Sequence, residues 1–588
     1  MLGVGRAVAA AVLLCIVGLA EEDADDATST PAFPEVQTPL GQVRGSILWS
    51  LDGRQIFSFR GVPYARPPVG ERRFKPPEPV DPWEGVMDAT EDGARCPEVE
   101  NTDKTSEDCL LLNVYTTNLS DRTGNPKRPV MIFLHPGGFY VYRGTSDLFG
   151  PQYLMDEDIV LVTLNYRLGA LGFLSTGDSV LPGNNGFKDQ VMALRWVQQN
   201  IAAFGGDPDS VTLAGYSAGA VSVCLHMLSP MSKGLFHKGI VMSGADLTST
   251  DPDPMQKARK QARLLNCPDT SSEEIISCLR EKDALEIAKS VTQFYEWGFD
   301  PMVAFGSVTE KDFGDGAERF LTADVTELFL SGNFTHIPLI IGTTKDEISW
   351  KGLDVIHDNL AENMSKNYET VFPIAFFYER NTPRSREISR EIRKFYFHDK
   401  PITNDSMISL GQVYSDIAVI FPVERVAKLV SQQNTEPVYY YQFTYQGRYS
   451  WAYKPGTLTP LGVLHQDDLI YLFFISAMFP NFLKTDPEYQ TVKKLTKMWA
   501  NFVKNGNPTS EKNDLINIEW QPLNLSSPAY LEIGSDLMMK QGFYYKDRMQ
   551  LWDRLFPLYQ NTTSGTTKET GLTVQHVLLV LVLCCFIK

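Results

Sequence analysis

Ser217 stands in Gly215-Tyr-Ser-Ala-Gly219, led in by Val211-Thr-Leu-Ala214 and followed by a helix-like run from Ala218 to Leu228. A short apolar strand, a Gly-x-Ser-x-Gly turn and a helix are the parts of a nucleophile elbow, which lifts a serine hydroxyl above a sheet edge. The chemistry such a serine does is acyl transfer. It needs a base to take its proton, an acid to orient that base, and N–H donors for the oxyanion that forms.

His135-Pro-Gly-Gly-Phe-Tyr140 follows the apolar run Pro129–Leu134, where the oxyanion loop of such an enzyme belongs. Adjacent glycines let backbone N–H groups face a substrate oxygen, so Gly137, Gly138 and Ala218 are the expected donors. The chain has eight histidines. His135 lies in that loop, His576 in the C-terminal tail, and His226 and His237 follow Ser217 too closely. His336, His357 and His398 lack a strand-to-loop setting. His465, in Leu461-Gly-Val-Leu-His-Gln-Asp-Asp-Leu-Ile-Tyr-Leu-Phe473, has a glycine-flanked loop before it and an apolar run after it, and is the expected base. The orienting acid should lie between serine and base. Asp346 and Glu347 both end a strand-like run, Pro338–Gly342, at Thr343-Thr-Lys345, and spacing does not choose between them.

The elements that must carry these groups alternate. Pro129–His135, Asp158–Asn165, Val211–Ala214, Gly239–Met242, Pro338–Gly342 and Pro437–Phe443 read as buried strands. Asp189–Phe204, Ala218–Leu228 and Tyr489–Val503 read as helices. Strands alternating with helices predict an α/β fold with a large, mostly parallel central sheet covered on both faces. Its site belongs at the carboxyl ends of the strands, and Ser217 lies just past one.

A formal charge of −17 argues against a nucleic-acid partner. Hydrophobic residues make up 43% of the 588, enough for a deep core, and no repeat or low-complexity linker divides the chain. Residues 1–20 read as a signal peptide with small residues at the cleavage position, and 21–33 as an acidic tail. At the other end, 559–576 reads as a polar stalk with a glycolipid attachment site at Ser564 or Gly565. Residues 577–588 read as the short apolar signal removed when that anchor is made. The mature protein would then sit on the outer leaflet, at the extracellular face of the plasma membrane. Of the eight cysteines, Cys15, Cys584 and Cys585 fall in these end segments. None of the others has metal-ligand spacing, and Cys224 reads as a buried thiol. Sequons at Asn118, Asn333, Asn363, Asn404, Asn524 and Asn561 are candidate glycan sites.

With these residues in place, the chain resembles the type-B carboxylesterases of the cholinesterase/carboxylesterase family, of the kind common in insects. The likeness runs from about Pro34 to Leu558. It rests on Phe59-Arg-Gly-Val-Pro-Tyr-Ala65, Glu107-Asp-Cys-Leu-Leu-Leu-Asn113, Asn165-Tyr-Arg167, Asn185-Gly186 with Asp189-Gln190, and Phe204-Gly-Gly-Asp-Pro208. The resemblance implies an α/β-hydrolase domain over 34–558 that hydrolyses small-molecule carboxylic esters through an acyl-enzyme, with no cofactor or metal. It implies Ser217, Glu347 and His465 as the triad, disulfides Cys96–Cys109 and Cys267–Cys278, and ion pairs Arg73–Glu107 and Arg167–Asp189. It also places Ser243 near the triad. Four departures stand out. Pro136 replaces the first glycine of the oxyanion triplet, which should stiffen the loop without removing a donor. Ile348 follows Glu347 where glycine is usual and could crowd the acid. The loop between Cys96 and Cys109 has no Trp, which disfavours a quaternary ammonium ester. Tyr216 stands where juvenile hormone esterases usually have Gln. The alternative is a cell-surface adhesion protein on the same fold, but those usually lose a triad member, and this chain keeps all three residue types.

Overall fold

The computed structural model describes residues 33–99, 104–119, 127–245 and 253–558. Both end signals, the anchor site at Ser564 or Gly565, and Asn561 lie outside the described residues.

An eleven-stranded sheet forms the centre. Its strands are β1 (Ser46–Trp49), β2 (Gln55–Pro63), β3 (Leu111–Thr116), β4 (Arg128–Leu134), β5 (Val160–Leu164) and β6 (Gly206–Tyr216). They continue with β7 (Lys238–Met242), β8 (Leu339–Thr344), β9 (Val438–Phe443), β10 (Ala529–Ile533) and β11 (Leu537–Gln541). The spatial order is β11-β10-β9-β8-β7-β6-β4-β5-β3-β2-β1. From β10 across to β5 every pair is parallel. The outer pairs, β10 with β11 and β5 through β3 and β2 to β1, are antiparallel. A separate three-stranded sheet joins Glu35–Thr38, Gly41–Arg44 and Val86–Asp88.

Strand side chains alternate between faces, so the central strands feed two cores. Along β4, Val130, Ile132 and Leu134 join one core and Met131 and Phe133 the other. Burial on both faces is why these strands read as unbroken apolar runs.

Five helices matter for the site. These are α1 (Asn185–Asn200), α2 (Ala218–Leu228), α3 (Trp350–His357), α4 (Met407–Ser415) and α5 (Tyr489–Asn505). α1 starts before the predicted Asp189, and Ile201–Phe204 forms a 3-10 turn stopped at Gly205 with φ 78°. β6 is longer than Val211–Ala214, because Gly206 already pairs with Arg128 ahead of a register shift. Asn404–Gln433 is the one helical run among the described residues long and apolar enough to cross a membrane. Its most apolar stretch is 67% buried inside the protein, which fits a core helix.

The ion pairs named from sequence are formed. Arg167 grips Asp189 with Nε and Nη2 at 2.7 and 2.6 Å, and both are almost fully buried. Burial pushes the Asp189 carboxyl up while Arg167 pulls it down. Arg73 forks onto Glu107 and donates to the carbonyls of Leu279 and Arg280. Cys96–Cys109 and Cys267–Cys278 are bonded, with Cα atoms 5.0 and 5.7 Å apart. Cys224 is buried. Asn333, Asn363, Asn404 and Asn524 are exposed and Asn118 is half-buried.

Candidate active site

Ser217 leaves β6 at φ 53°, ψ −118° and starts α2. A non-glycine residue rarely holds this backbone without tight surroundings, and here its neighbours supply them. Its N–H donates to the Met242 carbonyl at 2.9 Å, and its own carbonyl accepts from Val221 at 2.9 Å. The flanking glycines are sterically required. A Cβ on Gly215 would sit 2.1 Å from the Gly219 oxygen, and one on Gly219 2.0 Å from the Leu134 oxygen. Leu134 ends β4 and leads into the glycine loop, so elbow and loop touch through backbone alone.

In that loop Gly137 and Gly138 take φ 115° and 57°. A Cβ on Gly137 would meet the Val141 carbonyl at 2.0 Å. The Gly137 carbonyl is used: Tyr140 and Val141 both donate to its oxygen at 3.0 Å. Ala218 opens α2, so its N–H has no intrahelical acceptor. His135 is buried, stacks on Tyr166 at 4.3 Å and has Nδ1 2.7 Å from the Pro136 oxygen. Burial pushes its pKa down to about 4. It is therefore a neutral ring that braces the loop.

Glu347 follows β8 at φ 35° and is fully buried. Its Oε1 accepts from the Thr344 N–H at 2.7 Å, and its Oε2 lies 2.6 Å from His465 Nδ1. The His465 N–H returns to the Glu347 carbonyl at 2.9 Å. A carboxylate so placed favours the imidazole with Nδ1 protonated, which leaves Nε2 able to accept a proton. Asp346 is occupied elsewhere: its Oδ2 accepts from the Val463 N–H at 2.8 Å. Ile348 is buried beside the acid and does not prevent the contact with His465.

The His465 ring is held edge to face against Tyr216, 5.0 Å between centroids, and lies 6.0 Å from Trp350. The Tyr216 hydroxyl accepts from the Gln466 N–H at 2.7 Å. The residue before the serine thus ties the elbow directly to the loop that carries the histidine. Ser243 is buried at φ 54° beside the Tyr216 phenol, its N–H on the Gly342 carbonyl at 2.9 Å.

Sequence reasoning missed two acids next to His465. Asp467 accepts from Ser450 Oγ, Trp451 N and Leu464 N at 2.8, 3.0 and 2.8 Å, and burial pushes it up to about 7. Asp468 is 1% exposed, and neither of its oxygens meets a donor at good geometry. The phenols of Tyr216 and Tyr441 approach it. Burial, then the charge of Glu347, push its carboxyl up to about 8. The only sequence signal was the Asp467-Asp468 pair itself, two and three positions after the histidine.

A parallel-centred sheet with a strained serine past one strand, and a carboxylate-held histidine on the loops past others, defines the α/β-hydrolase fold. Residues 32–552 match the model of the Carboxylesterase family, and the chain belongs to that family. It is 38% identical to esterase FE4 of Myzus persicae over 534 residues, 88% of this chain and 91% of the relative. It is 36% identical to juvenile hormone esterase of Tribolium castaneum, covering 86% and 88%. It is 33% identical to pyrethroid hydrolase Ces2e of Rattus norvegicus, covering 90% of each. Among solved structures, the Manduca sexta juvenile hormone esterase with OTFP covalently attached superposes with a TM-score of 0.80. That match is at 28% identity and covers 89% of this chain and 99% of that one. The protein is accordingly a carboxylic ester hydrolase acting on small-molecule esters through a serine.

Proposed function

We propose that Ser217 is the nucleophile, His465 the general base and acid, and Glu347 the residue that orients His465. The observation that carries this is the 2.6 Å contact of Glu347 with His465 Nδ1, beside a serine forced into an elbow. His465 takes the Ser217 proton as Oγ attacks the ester carbonyl, and the oxyanion is met by Gly137, Gly138 and Ala218. The tetrahedral intermediate collapses, the C–O bond to the alcohol breaks, and His465 returns the proton to the departing alkoxide. Water, deprotonated by His465, then hydrolyses the acyl-enzyme and frees Ser217. Residual activity toward an aryl acetate decides the matter: Ser217→Ala should abolish turnover and covalent labelling by an organophosphate. A Ser217→Ala chain that still turns over at the native rate would overturn the assignment.

We further propose that the protein passes through the secretory pathway and is held on the outer leaflet by a glycolipid. Two disulfides and several exposed sequons support an oxidising, glycosylating route. Phosphatidylinositol-specific phospholipase C should release the activity from intact cells; retention on the cells after treatment would count against the anchor. The substrates that relatives are named for differ, a hormone in one case and pyrethroids in another, and Tyr216 disfavours a dedicated hormone esterase here.

A further inference from the structure

Beside the oxyanion loop lies a segment the acyl-transfer chemistry does not use. A Cβ on Gly138 would meet the Tyr140 ring at 2.8 Å and Val303 Cγ2 at 3.8 Å. The Tyr140 phenol faces Tyr295, and the Tyr295 ring packs edge to face on Phe299 at 5.9 Å. Phe299 and Val303 nevertheless stay 56% and 39% exposed. Apolar side chains open to solvent, within reach of the loop that should receive the ester carbonyl, offer contact to an apolar part of a substrate.

The segment between Phe299 and Val303 needs a fixed position, and its outer contacts are weak. Glu296 pairs with Arg380 at 2.6 Å, with both side chains 41% exposed, and the Trp297 indole donates to Asn363 at 2.8 Å. The firm anchor is inside. Asp300 is fully buried, with Oδ1 3.1 Å from Lys351 Nζ and Oδ2 accepting from the Tyr414 hydroxyl at 2.6 Å. Lys351 is itself 5% exposed and lies over the Tyr414 ring at 5.3 Å. It belongs to α3, one residue past Trp350, which packs near His465, and four past Glu347. Tyr414 belongs to α4, and α3 and α4 meet so closely that a Cβ on Gly352 would sit 2.3 Å from the Met407 oxygen. The buried cluster therefore ties the Phe299–Val303 segment to the same turn and helix that support the acid and base.

We propose that the buried Asp300–Lys351–Tyr414 cluster is a specificity device: it holds Phe299 and Val303 as an apolar wall beside Gly138 and thereby sets how bulky an apolar ester group the site accepts. This rests on Ser217 being the nucleophile with Gly138 as a donor. A buried pair of this kind contributes little net stability compared with apolar side chains of equal size; what it supplies is one defined position for the loop. Asp300, Lys351 and Tyr414 are positioning residues that touch no substrate, and Val303 is the side chain that would.

The test uses the full chain and two series of aryl esters, one of growing acyl size from acetate to benzoate and octanoate, the other of growing alcohol size. Val303→Ala removes the wall's branched tip. Tyr414→Phe loosens Asp300 with the smallest structural change, and Asp300→Asn with Lys351→Met removes both charges together, so that neither is left buried alone. The ratio of kcat/KM for the bulkiest to the smallest ester, in one of the two series, is expected to rise about tenfold in Val303→Ala, the size of effect a methylene or two has in an apolar pocket. It should move the same way in the two cluster variants. A ratio unchanged in all three, or a common fall for every ester, would overturn the proposal and leave the cluster as a structural tie. Organophosphate labelling of Ser217 in the native chain separates the two levels. No label overturns the triad assignment and this proposal with it, whereas a label with an unmoved ratio overturns only the wall.

Discussion

The elbow and the wall beside it are positioned by different means. Ser217 is fixed by backbone: the Met242 carbonyl on its N–H, and glycines at 215 and 219 whose missing Cβ atoms leave room for neighbouring carbonyls. Val303 is fixed at a distance by a buried carboxylate, an ammonium and a phenol from three separate segments. Backbone placement tolerates almost no change, because a displaced carbonyl moves a whole strand end. Side-chain placement has more room to drift, because residues 300, 351 and 414 lie outside the central strands. The difference separates what the reaction needs from what substrate choice needs.

The comparison breaks most sharply at the elbow. Ser217→Ala should lower kcat by about 10⁴- to 10⁶-fold, as when a triad member is removed from a serine hydrolase. The melting temperature should stay at or above that of the native chain, since the substitution retains the strained backbone but loses only one hydroxyl. Next comes Glu347→Gln, expected to lower kcat by about 10⁴-fold because the amide can hold the wrong imidazole tautomer. Single-turnover kinetics with an aryl acetate reads both. A Glu347→Gln chain within tenfold of native would show that Asp346 can take over, and the fixed geometry at 347 would then not set the rate.

Gly137→Ala sharpens the contrast between backbone and side chain. Its Cβ would fall 2.0 Å from the Val141 oxygen at a φ of 115°, so the loop must move. The expected cost is about 10²- to 10³-fold in kcat, the loss of one oxyanion donor, with small and bulky esters affected alike. A changed preference among esters, rather than a uniform loss, would mean that loop and wall are one unit.

What could be read from the sequence follows the same division. Ser217 and the Gly137-Gly138 loop were legible because their geometry is local: a strand, a tight turn and a helix within a dozen residues. His465 was legible by its setting between a glycine loop and an apolar run. Glu347 was not separable from Asp346, because the choice depends on which carboxylate the chain turns toward residues 463–465, more than a hundred positions away. The central strands announced themselves by burial on both faces. β1, β2, β3, β10 and β11, toward the two ends of the sheet, did not; β1 and β11 are short edge strands that mix polar and apolar residues and look like loops, and β11 is Leu-Met-Met-Lys-Gln with only Leu537 buried. Asp300, Lys351 and Tyr414 were invisible for a simpler reason, being charged or polar residues whose burial exists only after distant segments meet.

The smallest expected effect on activity concerns Asp468, which shares the sequence neighbourhood of His465 but the buried, side-chain-built character of the wall. Glu347, Asp467, Tyr216 and Tyr441 surround it. An unfolded aspartate titrates near 4, whereas burial and Glu347 push Asp468 up to about 8. Between those values the folded chain keeps a proton that the unfolded chain has lost, so this group's contribution to stability falls as pH rises from about 4 to about 8. Asp468→Asn cannot ionise and keeps an N–H to offer the Tyr216 oxygen. Its melting temperature should therefore exceed that of the native chain by a margin that grows through that window and levels off above it. The acid limb of kcat/KM should stay where it is, because the neutral amide replaces a neutral acid. Were Asp468 ionised in the working enzyme, its charge would help hold the imidazolium, and Asp468→Asn would move the acid limb to lower pH while the stability margin stayed flat. The two readouts move in opposition, so a single pH series of melting curves and rates decides which form of Asp468 stands behind the base.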